Sequence, residues 1–461
     1  MDESASSSLA VAEDAQRRPK LAERLARELA LAISRDVLPE GHALGSEAEL
    51  ARRLDASRWT VREALGILES EGLISVRRGR NGGIFVAAPS DATISTAIRS
   101  YLEFIRVDVP EIIEVRRLLD EAVLERALAR IEPRDIPRLR MAHDLDADRR
   151  GVVQDFIRYN VLLDVARSPV LQAFVRAVGE LGISAILRST LSDEALQANV
   201  RAVRLKRREQ IEAIIAGRLG AALALESSLL EMTAELLESA RPSEGASSAA
   251  TRLRALHLLS ASGQLKRPQL LMQEIASDIV ARGWPVGEHL GTESELLAHY
   301  RVSRSTFREA IRTLEQIGVV EMRSGRQFGL KIGSPNPETV VANSRSQFAR
   351  LGVSSEAYCE AFDAVGAAAA GFAAERNRGR TRFAASAAGS PSAFFNEVGE
   401  KSGNRIVALL IRILIGQDSA PCAKREALSD PLPLGELAAA IDAGDTVLAR
   451  RLILSLNRYG S

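Results

Sequence analysis

The 27 residues SRWTVREALGILESEGLISVRRGRNGG, from Ser57 to Gly83, return without a gap at Ser303 as SRSTFREAIRTLEQIGVVEMRSGRQFG, with 13 positions identical. A chain that writes one segment twice, 246 residues apart, is expected to fold it twice. Solenoid repeats recur every ~20–50 residues, so an interval this long marks duplication of a whole module. The surroundings repeat as well. A disordered tail over 1–18 precedes a compact unit over 19–90 and a long helical stretch over 91–240. The small, polar, proline-containing run RPSEGASSAAT opens a linker over 241–262. A second compact unit follows over 263–334, then a shorter helical stretch over 335–461. The offset between copies falls from 246 to 235 where ARSPVL (Ala166–Leu171) meets KSGNRI (Lys401–Ile406), and to 227 where Gly217 meets Gly444. The second copy has therefore lost about one helix of chain, mostly around ERNRGRTRFAASAAGSPS (Glu375–Ser392), which reads as a loop or frayed helix.

Each first unit has the periodicity of a small helical head. Leu21, Leu25 and Leu29 recur every four residues and stop at the turn LPEG (Leu38–Gly41), which predicts an amphipathic helix. SEAELARRL (Ser46–Leu54) predicts a second helix with Ser46 as N-cap and acidic residues in its first turn. Ser57 can cap a third, in which Val61, Leu65 and Leu68 face inward and Arg58 and Arg62 share an exposed face. LISVRRGRNGGIFV after Gly72 reads as strand, glycine turn, strand. In the second copy the inward residues are Phe307, Ile311 and Leu314, the exposed pair is Arg304 and Arg308, and the hairpin carries Arg323 and Arg326.

Two short helices joined by a tight turn, with arginines on the second and a basic hairpin behind, describe a winged helix-turn-helix. Such a helix fits the major groove, where Arg bonds guanine or reaches phosphates. The hairpin's Arg77, Arg78 and Arg80 stand on a glycine turn that lets backbone approach DNA. An Arg-x-x-x-Arg pair alone would describe a solvated helix face; its duplication with turn and wing favours the nucleic-acid reading. The formal net charge is only +1, so any such surface is a local patch.

The stretch LGSEAELARRLDASRWTVREALGILESEGLI…RRGRNGG resembles the GntR-family DNA-binding domain, with its S-E-x-x-L-A…S-R-x-T-V-R-E-A-L-x-x-L-E-x-x-G-L pattern. PEIIEVRRLLDEAVLERALAR (Pro110–Arg130) resembles the opening helix of the ligand-binding domain in the fatty-acid-regulator (FadR/FCD) branch. EAIIAGRLGAALALESSLLE (Glu212–Glu231) and AAAIDAGDTVLARRLILSL (Ala438–Leu456) resemble its closing helices. The resemblance implies a mainly α chain, in which two winged helix-turn-helix domains, each with a small β-wing, alternate with two all-α FCD-like bundles. It implies DNA contacts from Ser57, Arg58, Thr60, Arg62, Arg78 and Gly79, and from Ser303, Arg304, Thr306, Arg308 and Gly325. Arg80 and Arg326 belong to the same basic wings. Ala48 and Ser294 stand where the family often has Arg, and Ser324 replaces Arg78. Both heads are expected to be weaker or differently specific, the second more so.

Many FCD domains resemble one another in holding a metal with one Asp and three His. Here the aligned positions are Asp155, Tyr159, Arg207 and Leu229, then Pro391, Phe395, Leu434 and Leu456. None of the five histidines (His42, His143, His257, His289, His299) lies at ligand spacing in these helices, so no metal or other cofactor is expected. DLDADRRGVVQD (Asp144–Asp155) imitates a calcium loop but has Arg149 where the sharp turn requires glycine, and reads as a solvated connection. Arg116 matches a family arginine that often pairs with an effector carboxylate; a surface ion pair is the alternative. With Asp155, Tyr159 and Arg207 it would give the first bundle a polar cavity suited to an organic-acid or acyl effector. Phe362, Phe395 and Leu434 make the second a filled core.

Cys359 and Cys422 form no disulfide framework or redox motif. The N-terminal residues lack the pattern of a signal peptide, and the most apolar run, Ile406–Gly416, is too short to span a bilayer. A cytoplasmic location without membrane contact follows. No nucleophile–base constellation or phosphate-binding glycine loop points to an enzyme. The expected function is a ligand-responsive DNA-binding regulator, a repressor, acting as an intramolecular pseudo-dimer on a pseudo-palindromic operator. Two alternatives remain open: a chain that dimerises again to give four heads bridging DNA, and a second copy that has become a protein-interaction module.

Overall fold

The computed structural model describes residues 21–35, 38, 41–70, 73–77, 83–86, 91–142, 161–187, 193–239, 267–323, 329–376, 390–415 and 434–456. The expected tail, the 241–262 linker and the acidic Asp144–Asp155 connection lie outside them. One unit ends at Ser90 and a second begins at Asp91.

Unit one contains α1 (Leu21–Arg35), β1 (Ala43–Gly45), α2 (Glu47–Arg53), α3 (Arg58–Ser70), β2 (Ile74–Arg77) and β3 (Gly83–Val86). α1 buries Ala22, Leu25, Ala26, Leu29 and Ile33, whereas Leu21, expected on that face, is 56% exposed. Spacing by four outruns the helical turn by about 40° per step, so Leu21 rotates off a stripe centred on Leu25 and Leu29. A capping box starts α2: the Glu49 N–H donates to Ser46 Oγ at 3.3 Å, and the Ser46 N–H donates to the Glu49 carboxylate at 2.7 Å. Ser57 likewise accepts from the Thr60 N–H at 3.1 Å at the start of α3. Val61, Leu65 and Leu68 are buried as their spacing predicts, and α3 packs on α1. The wing is present, with β2 and β3 antiparallel from Ile74↔Val86 to Arg77↔Gly83. β1 joins the other edge of β3, giving the order β1-β3-β2. Three residues are too few for strand alternation to show in sequence, so β1 is found only through its pairing.

Unit two begins with a bundle of α4 (Asp91–Phe104), α5 (Val109–Arg130), α6 (Asp135–Ala142), α7 (Pro169–Leu187), α8 (Asp193–Ile215) and α9 (Leu219–Ser239). Asp108 and Glu111 form a capping box at the start of α5, with proline in its first turn. α4 and α5 pack on α7, and α9 lies along both α5 and α8. A second head follows: α10 (Arg267–Ala281), β4 (His289–Gly291), α11 (Glu293–Tyr300), α12 (Arg304–Gln316), β5 (Val320–Arg323) and β6 (Gly329–Ile332), with sheet order β4-β6-β5. Its α10 rests on α4, and the Trp284 ring lies 4.6 Å from that of Phe104 while its Nε1–H donates to the Gly333 carbonyl at 3.0 Å. Gly329 has φ +146, and a Cβ there would collide with the His289 ring and the Gly291 carbonyl. Gly329→Ala is therefore expected to destabilise this unit by about 2 kcal/mol or more. Thermal unfolding of the full chain reads this, and an unchanged midpoint would mean that β6 can rotate away.

The second bundle comprises α13 (Pro337–Arg350), α14 (Ser355–Arg376), α15 (Pro391–Lys401), α16 (Arg405–Leu414), α17 (Leu434–Ala443) and α18 (Thr446–Leu456). Glu375 and Arg376, expected in a loop or frayed helix, complete α14, and Ser390 caps α15, which begins at Pro391. Serine followed by proline is an N-cap and first-turn signature, so this end of the basic segment is helical. Residues 377–389 lie outside the described set. The register read between the bundles appears in the backbone: Gly217 and Gly444 both take φ +72. Beside them the Arg218 N–H donates to the Ala213 carbonyl at 2.8 Å, and the Asp445 N–H to the Ala440 carbonyl at 2.9 Å.

The two bundles pack on each other reciprocally. α4 meets α13, α5 meets α14, and the cross contacts of α14 with α7 are matched by those of α5 with α16. Glu114 on α5 accepts from Arg376 on α14 at 2.5 Å, and Glu360 on α14 accepts from Arg130 on α5. Both the glutamates and the arginines are 246 residues apart. Arg130 also donates to the Ala166 carbonyl at 2.8 Å, and Arg376 to the Ser402 carbonyl. A contact between i and j answered by one between their equivalents is the pattern of an isologous two-fold interface.

Candidate nucleic-acid interface

The first turn of α3 faces solvent. Ser57 and Arg58 are exposed, and Trp59 is 71% exposed. Ser57 Oγ lies 2.7 Å from Thr60 Oγ1, so the two hydroxyls hold each other where the helix leaves backbone N–H groups free. Arg62, one turn later, reaches back to α2: Nη2 donates to Glu47 at 2.6 Å and Nε at 3.2 Å. These bonds raise the Arg62 guanidinium above its ordinary pKa.

The second head repeats this arrangement with one change. Ser303 accepts from the Thr306 N–H at 3.2 Å, and its Oγ lies 2.9 Å from Thr306 Oγ1. Arg304 and Arg308 both approach Glu293 Oε1 at 3.1 Å. Glu293 is nearly buried while the two arginines stay more than half exposed. Glu47 and Glu293 are equivalents, each 15 residues before the arginine it orients. Sequence reasoning passed over both as first-turn acids, although the interval repeated in the two copies was a usable signal. It also passed over Trp59, whose counterpart is Ser305. Arg78, Gly79, Arg80, Gly325 and Arg326 of the wings, and Asp155 and Tyr159 of the first bundle, lie outside the described residues.

The other expected site residues meet inside the first bundle. Arg116 Nη2 lies 2.8 Å from Asp120 Oδ2, with Asp120 fully buried and Arg116 15% exposed, so the pair is interior and not at the surface. Arg207 Nη1 donates to Gln210 Oε1 and to Glu226 Oε2, each at 2.6 Å. Gln210 Nε2 donates to Glu226 at 2.7 Å and to the Ala222 carbonyl at 3.0 Å. Among the described residues no three of His, Cys, Asp and Glu stand together as metal ligands, and no helix is long and apolar enough to cross a membrane. In the second bundle Phe362, Phe395 and Leu434 are buried, with the two rings edge to face at 5.0 Å.

Each head thus carries a short capped helix, a tight turn, a second capped helix with exposed arginines and a three-stranded antiparallel sheet. These are winged helix-turn-helix domains. The model of the family described as bacterial regulatory proteins, gntR family, matches residues 21–86 and again 269–329. An uncharacterized HTH-type transcriptional regulator of Mycobacterium tuberculosis is 31% identical over 166 residues, 35% of this chain and 68% of that protein. The HTH-type transcriptional regulator LutR of Bacillus subtilis is 29% identical over 154 residues, 32% of this chain and 69% of its own. Among solved structures, Streptococcus agalactiae GntR aligns with 46% of this chain and 99% of its own at 18% identity and a TM-score of 0.32. The chain belongs to the GntR family of bacterial regulatory proteins.

Proposed function

We propose that the chain is a ligand-responsive DNA-binding transcriptional repressor, working in the cytoplasm as an intramolecular pseudo-dimer on a pseudo-palindromic operator. In this reading it is a tandem duplication of a winged helix-turn-helix followed by an FCD-like bundle. The observation that carries the reading is the reciprocal pairing of Glu114 with Arg376 and of Glu360 with Arg130. Two separate chains meeting about a two-fold axis would make the same pair of contacts twice. Here one chain makes both, between positions at a constant sequence offset, which supports two halves that arose as partners.

Two-headed regulators read two half-sites about one helical turn apart. Covalent linkage removes the concentration dependence of assembling them and lets the heads diverge, as Trp59 and Ser305 have at one position of the recognition helices. An effector that binds one arrangement of the heads better than another would shift operator affinity. The test is in vitro selection of genomic fragments bound by the purified chain at moderate salt. Two GntR-like half-sites of unequal sequence are expected. A single half-site would remove the pseudo-dimer, and no enrichment over non-specific binding would remove DNA reading itself.

A further inference from the structure

The two bundles put opposite chemistry at the same place in the fold. In the first, Arg116 and Asp120 from α5, Arg207 and Gln210 from α8 and Glu226 from α9 make a buried polar cluster. At the offsets that relate the helices, Phe362, Gly366, Leu434, Leu437 and Ile453 replace them, in that order. The replacement group is assembled in space as well as in sequence. A Cβ on Gly366 would meet the Ile453 side chain at 3.3 Å and the Phe362 ring at 3.4 Å, and Phe362, Leu434, Leu437 and Ile453 are all buried. The second bundle therefore serves as an internal control. Helices of this arrangement close on an apolar core, and exchanging buried ion pairs for packed apolar groups is often neutral or stabilising. The fold does not require the polar cluster.

The cluster is also incomplete. Glu226 is 1% exposed, and its Oε2 accepts from Arg207 and Gln210, but among the described residues its Oε1 has no hydrogen-bond partner. Burial alone would raise the Glu226 pKa; Arg207, Gln210 and Arg116 outweigh burial and hold the carboxyl below its usual range. An ionised carboxylate oxygen buried without a donor is costly. The charge balance adds a constraint on anything that binds. Among the described residues Arg116 and Arg207 are already matched in charge by Asp120 and Glu226, so an added carboxylate would place an unmatched buried negative charge beside Glu226. A molecule that brings a donor instead completes Glu226 and disturbs neither pair.

We infer that this cluster is the effector site and that the effector presents an N–H or O–H donor, as a polyol or an alkylamine does, to Glu226 Oε1. Simple carboxylates, the class that the sequence suggested, are disfavoured. The inference rests on the ligand-responsive reading above and specifies the ligand class.

Calorimetric titration of the full-length chain tests it, with mannitol and putrescine as the two kinds of donor probe and succinate and octanoate as the carboxylates. Saturable binding of mannitol assigns a hydroxyl donor, and binding of putrescine an amine. Either is expected to weaken at least tenfold in Glu226→Gln. Single apolar substitutions would strand Arg207, so the triple variant Arg207→Leu, Gln210→Leu, Glu226→Ile, which copies the second bundle, serves as the folded control. It should keep its helical circular dichroism and melting transition and bind no probe. Succinate or octanoate binding that survives Glu226→Gln would overturn the inference. So would donor binding retained in the triple variant, or no saturable binding of either donor probe at millimolar concentration. The operator selection keeps the two failures apart. Recovery of an operator alongside negative titrations removes only the ligand class, whereas failure to recover one removes the regulator reading whatever the probes do.

Discussion

Replacing Arg58 and Arg62 together by Ala is expected to lower operator affinity on the order of a hundredfold, and replacing Arg304 and Arg308 on the order of tenfold. The asymmetry comes from the acids behind them. In the first head Glu47 engages Arg62, and Arg58 has no ion pair among the described residues. In the second head Glu293 draws on both arginines at once. A guanidinium shared with a carboxylate carries less net charge toward a phosphate and must rearrange before its fork can meet a guanine. The second head should therefore contribute less, although the helix and caps are the same. Fluorescence anisotropy with a labelled operator at several salt concentrations reads both quantities. For every phosphate that a variant ceases to neutralise, the steepness of log affinity against log salt should fall by about 0.9. Glu293→Gln should move the second head toward the first by freeing Arg304 and Arg308. If replacing Arg304 and Arg308 changes neither affinity nor slope, the second head does not touch DNA, and a protein-interaction role for that copy becomes the better reading.

The parts of this chain that sequence made legible are those in which a short-range rule decides the structure. Ser46 and Ser57 cap their helices because a hydroxyl at that position satisfies an N–H two or three residues on, wherever the helix then packs. Val61, Leu65 and Leu68 go inward because their spacing follows the helical turn. Repetition added a second, independent reading of each rule, and the equal φ of Gly217 and Gly444 shows how far a gapped register could be carried. What was missed depends on partners distant in sequence. β1 is a strand only because β3 lies beside it. Glu47 and Glu293 matter only because the turns bring α2 and α11 under the arginines. The buried cluster was half seen: Arg116 and Arg207 were reached through the family resemblance, but Asp120, Gln210 and Glu226 come from separate turns and helices. No local pattern joins them.

Glu111→Ala should cost unit two about 2–3 kcal/mol at neutral pH and almost nothing at pH well below the carboxylate range. Glu111 accepts from three donors of Arg405: its backbone N–H at 2.8 Å, Nε at 3.0 and 3.1 Å to the two oxygens, and Nη2 at 2.5 Å. Arg405 also donates to the carbonyls of Ile105 at 2.7 Å and Arg106 at 3.1 Å, while Asn404 Nδ2 donates to the Glu111 carbonyl at 3.1 Å. This ties the start of α16 to the start of α5. A fully buried pair broken on one side costs about 3–5 kcal/mol, and the lower figure here allows for Arg405 being about half exposed. Burial by itself would raise the Glu111 pKa, but the bonds from Arg405 and the Asp108 N–H outweigh it and the group sits below its ordinary value. A carboxyl depressed in the folded state stabilises fully above its unfolded pKa of about 4.3 and loses that contribution as pH falls through the folded value. Thermal melts of the parent and the variant across this window should therefore converge toward low pH, and a constant gap would show that packing and not charge is lost. The pair also bears on the proposed pseudo-dimer. In the proposed arrangement the positions that answer this pair are Ala357 and, at the corresponding helix start, Pro169, so the tie exists on one side only. Identical chains meeting about an axis would carry such a tie twice or not at all. A one-sided tie is available only to halves that no longer share a sequence, and Glu111→Ala therefore probes the divergence that covalent fusion permits.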